Sequence, residues 1–225
     1  GLIGVNLKSN SNKFLGFILS LASGLMTGIV CFDLIPEALN ISSIIYVLIG
    51  IAFGIVTMIA CDIFVNNKFK NTRESFKNAN SMLKTGIIIS IGLALHNFPE
   101  GLAIGSGFEA SLVLGYSLAV AIALHDIPEG ISMAVPMRNG GMSKLKVIFY
   151  VILSGITTGL GAFFGSLVGG ISDQIIAVCL SFAAGAMLYI VSGELIPESN
   201  KVYKGRMNAI GYIMGFILGI FSSLI

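Results

Sequence analysis

The fold class is decided by the stretch 111–136, which is SLVLGYSLAVAIALHDIPEGISMAVP. Apart from a few hydroxyl groups, its only polar side chains are those of His125, Asp126 and Glu129. A helix that crosses the roughly 30 Å hydrocarbon core of a bilayer needs about 20 predominantly apolar residues. The stretch therefore predicts a transmembrane helix that carries three titratable side chains near its middle.

Similar apolar stretches recur along the whole chain of 225 residues. Hydrophobic residues make up 55% and charged residues 11% of the sequence, and the mean hydropathy is +0.93. A soluble domain usually contains about 25% charged residues, so a soluble enzyme is excluded. We predict an all-α polytopic membrane protein in which residues 1–225 form a single integral domain. A window of about 19 residues predicts seven spans: 14–38, 43–65, 82–107, 111–136, 145–170, 174–198 and 207–225.

Charge and cysteine content exclude two further classes of protein. The net charge of +2 disfavours a nucleic-acid partner, and the three cysteines lie in apolar stretches and cannot all pair in disulfides. The 28 glycines and the absence of Trp are typical of helices that pack closely in lipid. The expected surroundings of this chain are therefore those of a lipid bilayer.

The basic residues predict the orientation of the spans. All 13 lysines and arginines lie on alternate connections, which include the polar segment 66–81. Because basic connections face the cytoplasm, we predict a multi-pass protein of the cell membrane with the loop 66–81 in the cytoplasm. The C-terminus is then predicted to lie outside.

Two pairs of spans share sequence. Residues 94–101 of the third span, ALHNFPEG, recur as residues 123–130 of the fourth span, ALHDIPEG. Residues 19–39 of the first span align with residues 180–200 of the sixth span with 11 identities. The members of each pair run in opposite directions, which is typical of inverted-topology repeats. We extend this symmetry to pair the second span with the fifth.

The seventh span has no counterpart in this scheme. Residues 1–5 form an apolar stub that is followed by polar residues. We interpret the stub as the cytoplasmic end of an upstream helix that the chain lacks. The alternative is a short cytoplasmic tail.

The repeated motif contains both histidines of the protein, His96 and His125, each four residues before a glutamate, Glu100 or Glu129. Four residues are just over one helical turn, so each helix presents an imidazole and a carboxylate on one face. Together with Asn97 and Asp126, these ligands suit Zn²⁺, Fe²⁺, Mn²⁺ or Co²⁺. The alternatives are buried structural salt links or a proton relay. We predict a metal site at mid-membrane with six ligands: His96, Asn97, Glu100, His125, Asp126 and Glu129.

Other carboxylates lie at the ends of spans, where an ionised side chain is costly unless it is paired, hydrated or metal-bound. Two are predicted at the outer end of the first span and three at the inner ends of the second and sixth spans. This arrangement suits a path for cations, although a carboxylate at a helix end is equally often only solvated. The five residues are Asp33, Glu37, Asp62, Glu194 and Glu198.

The two motifs, HNFPEG at 96–101 and HDIPEG at 125–130, resemble those of the ZIP (Zrt/Irt-like protein) family of divalent-metal transporters. DLIPE at 33–37 and ELIPE at 194–198 support the resemblance, which covers nearly the whole chain. It implies eight transmembrane helices in an inverted 3+2+3 arrangement, with the first helix missing here and both termini outside. It also implies metal uptake into the cytoplasm, commonly by a homodimer.

The resemblance assigns the six predicted ligands to two adjacent metal positions. His96, Glu100, His125 and Glu129 match the primary position, whereas Asn97 and Asp126 match a second position that the two glutamates bridge. Many prokaryotic relatives add a glutamate from the fifth span, where this chain has Thr158 and no carboxylate within residues 145–172. The second position is therefore expected to bind metal weakly or to remain empty.

Transport of divalent transition metals is the leading functional hypothesis, with zinc as the first candidate and iron, manganese, cobalt and cadmium as alternatives. The metal is then cargo, and no resident cofactor and no enzymatic activity are expected. The rival hypothesis is an intramembrane metal-dependent enzyme, although the His-Glu-x-x-His pattern of zinc proteases is absent. A third hypothesis is a metal sensor, but the sequence shows no soluble output domain.

Overall fold

The computed structural model describes the backbone of residues 12–75 and 81–222, and the side chains of residues 12–64 and 90–221. All regular secondary structure in these ranges is helical, which confirms the predicted all-α class. The helices are α1 (Asn12–Ile41), α2 (Ile44–Ser75), α3 (Ser81–Ala110), α4 (Leu112–Asn139), α5 (Lys144–Gly169), α6 (Asp173–Val202) and α7 (Arg206–Ser222).

Several of these helices have the length and apolar character of membrane spans. Within the described residues, five segments meet both requirements: α1, the Ile44–Phe64 part of α2, α4, α5 and α6. Buried positions make up 61–67% of the most apolar window in α1, α4 and α6, but only 22% in α2 and 17% in α5. The protein is therefore a multi-pass membrane protein in which α2 and α5 are peripheral helices.

The predicted loop 66–81 is partly helical. Helix α2 continues without interruption to Ser75, and Ser81 is the first residue of α3, while residues 76–80 lie outside the described residues. The prediction ended the helix where the apolar residues end. Residues 66–75 contain no Gly or Pro, so nothing in the backbone stops the helix at Asn66.

Helices α1 and α6 each contain a short π-helical turn, at Val30–Leu34 and at Val191–Leu195. Each turn comes directly before an Ile-Pro pair. A proline in a helix cannot donate to the carbonyl group four residues earlier and clashes with it. The chain instead bonds across five residues, as the Ile35 N–H does to the Val30 carbonyl oxygen. The two turns occupy equivalent positions in the aligned segments 19–39 and 180–200.

Glycines let three pairs of helices approach until their backbones touch. Gly24 of α1 packs on α7, Gly185 of α6 packs on α2, and Gly101 of α3 packs on α5. Gly24 and Gly185 are equivalent in the alignment of α1 with α6, so their partners α7 and α2 are equivalent as well. This contact pattern favours α7 as the counterpart of α2, rather than the fifth span that the sequence predicted.

Helices α3 and α4 form a tight hairpin that positions the repeated motif. Only Ser111 separates them, although the sequence predicted a connection at 108–110. Ser111 is extended, and its Oγ accepts a hydrogen bond from the Leu114 N–H at 3.1 Å, which caps α4. Both helices continue through their motif prolines, Pro99 and Pro128.

Candidate metal centre

The two copies of the motif meet across the α3–α4 hairpin. The Nε2 atom of His125 lies 3.1 Å from Oε1 of Glu100, and Nε2 of His96 lies 3.4 Å from Oε1 of Glu129. Each histidine therefore pairs with the glutamate of the opposite helix. The reason is the antiparallel arrangement, since a step of four residues forward on α3 corresponds to a step of four residues back on α4.

Four side chains place one ligand atom each within 4.8 Å of one another: Glu100, His125, Asp126 and Glu129. We call these four residues the central cluster. Its atoms are close enough to share one cation. The Nε2 atom of His125 lies 3.6 Å from Oδ1 of Asp126 and 4.0 Å from Oε1 of Glu129.

Burial of the site is nearly complete. Glu100 and His125 are 0% exposed, whereas the Asp126 side chain remains 36% exposed. Carboxylates removed from water in this way need a compensating positive charge. Protonated histidines or a metal cation would supply that charge.

Among the described side chains, most of the buried polar atoms without a hydrogen-bond partner lie in this site. Of the ten buried side-chain polar atoms that lack a hydrogen-bond partner, seven belong to the six predicted ligands. Buried polar atoms in proteins are nearly always paired, and clusters of unpaired ones require an explanation. The donor set of imidazole nitrogens and carboxylate or amide oxygens fits a divalent first-row metal.

Asn97 lies next to the central cluster and contacts α5. Its Nδ2 atom donates to the carbonyl oxygen of Ser154 at 3.1 Å and to Ser154 Oγ at 3.2 Å. Asn97, Asp126, Glu129 and Ser154 line a cavity of about 110 Å³. Ser154 was missed in the sequence, because no local pattern marks which residue of α5 meets an asparagine 57 positions earlier.

Thr158 follows Ser154 by one helical turn. Its carbonyl oxygen packs against Gly101, the residue after Glu100, and its Oγ1 atom is buried without a hydrogen-bond partner. The structure therefore places Thr158 on the face of α5 that packs against α3. Thr158 does not line the cavity beside Asn97.

The five predicted path residues lie in α1, α2 and α6. Asp33 belongs to the π-helical turn of α1 and is 7% exposed, and its Oδ2 atom has no hydrogen-bond partner. Glu194 occupies the corresponding position in the π-helical turn of α6. Asp62 accepts a hydrogen bond from Tyr189 Oη at 2.7 Å, which links α2 to α6. Glu37 is half-buried, and Glu198 forms an exposed ion pair with Lys201 at 3.3 Å.

Comparison with known proteins gives the family of this chain. A family model described as ZIP Zinc transporter matches residues 70–223, which include the whole α3–α4 hairpin. The chain belongs to the ZIP family. A relative named zinc transporter ZupT from Akkermansia muciniphila is 33% identical to this ZIP protein, over 97% of this chain and 88% of the relative.

Two other ZIP relatives are matched over less of their length. Zinc transporter GufA from Myxococcus xanthus is 39% identical over 137 residues, which is 60% of this chain and 54% of GufA. Zinc transporter ZIP11 from Xenopus tropicalis is 35% identical over 155 residues, 66% of this chain and 46% of ZIP11. The chain thus spans about half the length of these two relatives. All three are named transporters, which favours transport over the enzyme hypothesis.

Proposed function

We propose that this ZIP protein moves divalent transition-metal cations through the membrane, with zinc as the first candidate. The observation that carries the proposal is the set of buried, unpaired ligand atoms at the α3–α4 hairpin. The names of the relatives, all zinc transporters, favour zinc over iron, manganese, cobalt and cadmium. The metal is cargo in this proposal, so no resident cofactor is required.

The proposed primary ligands are His96, Glu100, His125 and Glu129. Their support is the cross-pairing of histidine and glutamate at 3.1 and 3.4 Å between two helices. Two helices that each contribute an imidazole and a carboxylate can bind one cation and release it when they move apart. Asn97 and Asp126 are proposed as ligands of a second, adjacent position.

We also propose an inverted repeat of seven spans that relates α1 to α6, α3 to α4 and α2 to α7. The equivalent π-helical turns of α1 and α6 support it, and so do the equivalent glycine contacts of Gly24 and Gly185. The proposed direction of transport is into the cytoplasm, where the basic connections are expected. The carboxylates of Asp33, Glu37, Asp62, Glu194 and Glu198 would attract cations on either side of the central cluster.

Homodimer formation in the lipid bilayer is a further proposal. Apolar side chains of α2 and α5, among them Phe53 and Phe149, are exposed to about 60%. Such faces suit contact with lipid or with a second copy of the chain.

Metal flux into liposomes that contain the purified protein tests the proposed function. A zinc-sensitive dye inside the vesicles should report zinc uptake. Added Fe²⁺, Mn²⁺, Co²⁺ or Cd²⁺ should reduce this uptake, each to an extent set by its own affinity for the protein. The expected result is saturable zinc uptake without added nucleotide. Binding of zinc without any flux of the five metals would contradict transport and would favour the enzyme or the sensor hypothesis.

A further inference from the structure

We infer that Ser154 of α5 orients the Asn97 amide. The amide oxygen of Asn97 thereby becomes the uncharged ligand of a second cation position beside the central cluster. Ser154 is then a positioning residue that acts on the cation through Asn97. The inference rests on the proposed function, because it assigns a role at the same site. It extends that function to a residue on a helix outside the motif hairpin.

The orientation of the Asn97 amide follows from its partners. The carbonyl oxygen of Ser154 can only accept a hydrogen bond, so the NH₂ group of Asn97 must face it. The second donor of that group points to Ser154 Oγ at 3.2 Å. Both donors of Nδ2 are therefore used by one residue of α5, and the assignment of nitrogen and oxygen in this amide is unambiguous.

The amide oxygen is left available for another partner. Asn97 is 6% exposed, and its Oδ1 atom is buried without a hydrogen-bond partner. Asn97 also lines the cavity of about 110 Å³ together with Asp126, Glu129 and Ser154. Since one water occupies about 30 Å³ of the liquid, this cavity has room for a divalent cation with some of its water ligands.

The same contact explains why the two copies of the motif differ after the histidine. Asn97 must donate to the Ser154 carbonyl oxygen, which also accepts from Thr157 Oγ1 at 2.6 Å. A carboxylate at position 97 would place its oxygen next to the Ser154 carbonyl oxygen. Both atoms only accept hydrogen bonds, so neither would have a donor in this contact. The Asp126 side chain is 36% exposed, and its Oδ1 atom lies 3.6 Å from Nε2 of His125, so a carboxylate is accommodated there. The second position thus has one neutral and one acidic side.

Calorimetric titration of the purified wild-type protein with Zn²⁺ and then Cd²⁺ tests the inference, together with S154A, N97A and the double variant. We expect a tight binding event and a weaker one in the wild type. In S154A the tight event should be unchanged, and the dissociation constant of the weaker event should rise about threefold to tenfold, as for the loss of one hydrogen bond. In the double variant, the dissociation constant of the weaker event should equal that in N97A alone, because Ser154 acts through Asn97.

Two further variants control for effects on folding and packing. S166A removes another hydroxyl of α5, which bonds only within its own helix to the Phe163 carbonyl oxygen at 3.3 Å, and it should leave both events unchanged. S154T retains a hydroxyl and should keep the weaker event within about twofold of the wild type, as expected when the hydrogen bond survives.

Three results would overturn the inference: a single binding event in the wild type, an unchanged weaker event in S154A, or additive losses in the double variant. Additive losses would mean that Ser154 acts independently of Asn97. Absence of the tight event in the wild type has a different meaning, because it contradicts the proposed metal site itself. The titration therefore separates failure of the inference from failure of the proposed function.

Discussion

Glu100 and Glu129 are the residues on which the site depends most. Each carboxylate contacts a histidine of the opposite helix, and the side chains of both are at most 3% exposed. Burial of a carboxylate costs several kcal/mol unless a partner compensates it. Two buried carboxylates in one hairpin would therefore destabilise the protein if nothing compensated their charge. Their contacts with histidine instead suit the role of metal ligands that is proposed above.

Alanine at either glutamate should abolish zinc uptake. In Glu100→Ala or Glu129→Ala, the primary position loses one of four ligands and its charge, and we expect uptake in liposomes to fall to the level of empty vesicles. Glu109→Ala serves as the control, because Glu109 lies at the end of α3 beside Gly169, far along the helix from the motif. Uptake like that of the wild type in either motif variant would contradict the ligand assignment.

A carboxylate introduced on α5 should strengthen the second metal position. Thr158 lies on the face of α5 that contacts Gly101, and its Oγ1 atom has no partner. Thr158→Glu adds a negative charge beside Gly101, the residue after Glu100, in a low-dielectric environment, which favours a second divalent cation. Metal stoichiometry by titration should rise toward two tight ions, while uptake persists. Two equally tight ions already in the wild type would show that Thr158 has no such effect.

At the level of helices, glycine contacts bring α5 close enough to reach the motif. Gly101 and Gly105 of α3 face the backbone of α5 at Thr158 and Ala162, and Gly161 and Gly165 of α5 face the backbone of α3. This approach is what allows Asn97 to reach Ser154. In a membrane such close contacts contribute van der Waals attraction, which replaces the hydrophobic effect between helices.

A methyl group at Gly105 should separate α3 from α5. Its Cβ would overlap the carbonyl group of Ala162, and the relief of such overpacking costs about 1–3 kcal/mol. Gly159→Ala is a matched control, since a Cβ there has open space and alanine favours the helix by about 0.5–1 kcal/mol. Thermal unfolding in detergent, followed by circular dichroism, should show a lower melting temperature for Gly105→Ala only. Equal melting temperatures would argue against this contact.

The link between α2 and α6 should depend on the hydroxyl group of Tyr189. Tyr189→Phe removes the hydrogen bond that Tyr189 Oη donates to Asp62 at 2.7 Å, and leaves a half-buried carboxylate without that donor. The loss of one hydrogen bond to a charged group corresponds to about 1.5–3 kcal/mol, which should lower the melting temperature. Tyr116→Phe serves as the control, because it removes the hydroxyl group of an exposed tyrosine of α4. A stable Tyr189→Phe variant would show that water replaces the donor.

At the scale of the whole molecule, the distribution of basic residues predicts the orientation in the membrane. Basic residues flank the turn between α4 and α5, with Arg138 near the end of α4 and Lys144 and Lys146 at the start of α5, whereas residues 147–200, which include the turn between α5 and α6, contain no Lys or Arg. The positive-inside rule therefore predicts that these two turns lie on opposite sides of the membrane.

Epitope tags inserted in these two turns should be reached from opposite sides. A tag within 140–143 should bind antibody only after the cells are permeabilised, and a tag within 170–172 should bind it on intact cells. Zinc uptake by each tagged protein confirms that the insertion leaves the fold intact. The reverse pattern of labelling in active proteins would invert the proposed direction of transport.

The sequence by itself determined the helical class, the approximate spans and the repeated motif. Apolar runs of about 20 residues can satisfy their backbone in lipid only as helices or closed barrels, and their length and periodicity are local properties. Four of the six predicted ligands form the central cluster, and His96 and Asn97 lie beside it, for a related reason. A hairpin with a one-residue connection forces two copies of one motif into register.

Tertiary structure decided which helices touch, and with them the details of the site. That Glu100 pairs with His125 rather than with His96, that Gly24 of α1 packs on α7, and that Asn97 bonds to Ser154 all depend on contacts between different helices. The continuation of α2 to Ser75 likewise departs from the apolar boundary. Lipid removes the hydrophobic preference for one helix neighbour over another, so the close fit of small residues and hydrogen bonds selects the neighbours. That fit depends on surfaces that only the folded helices present together.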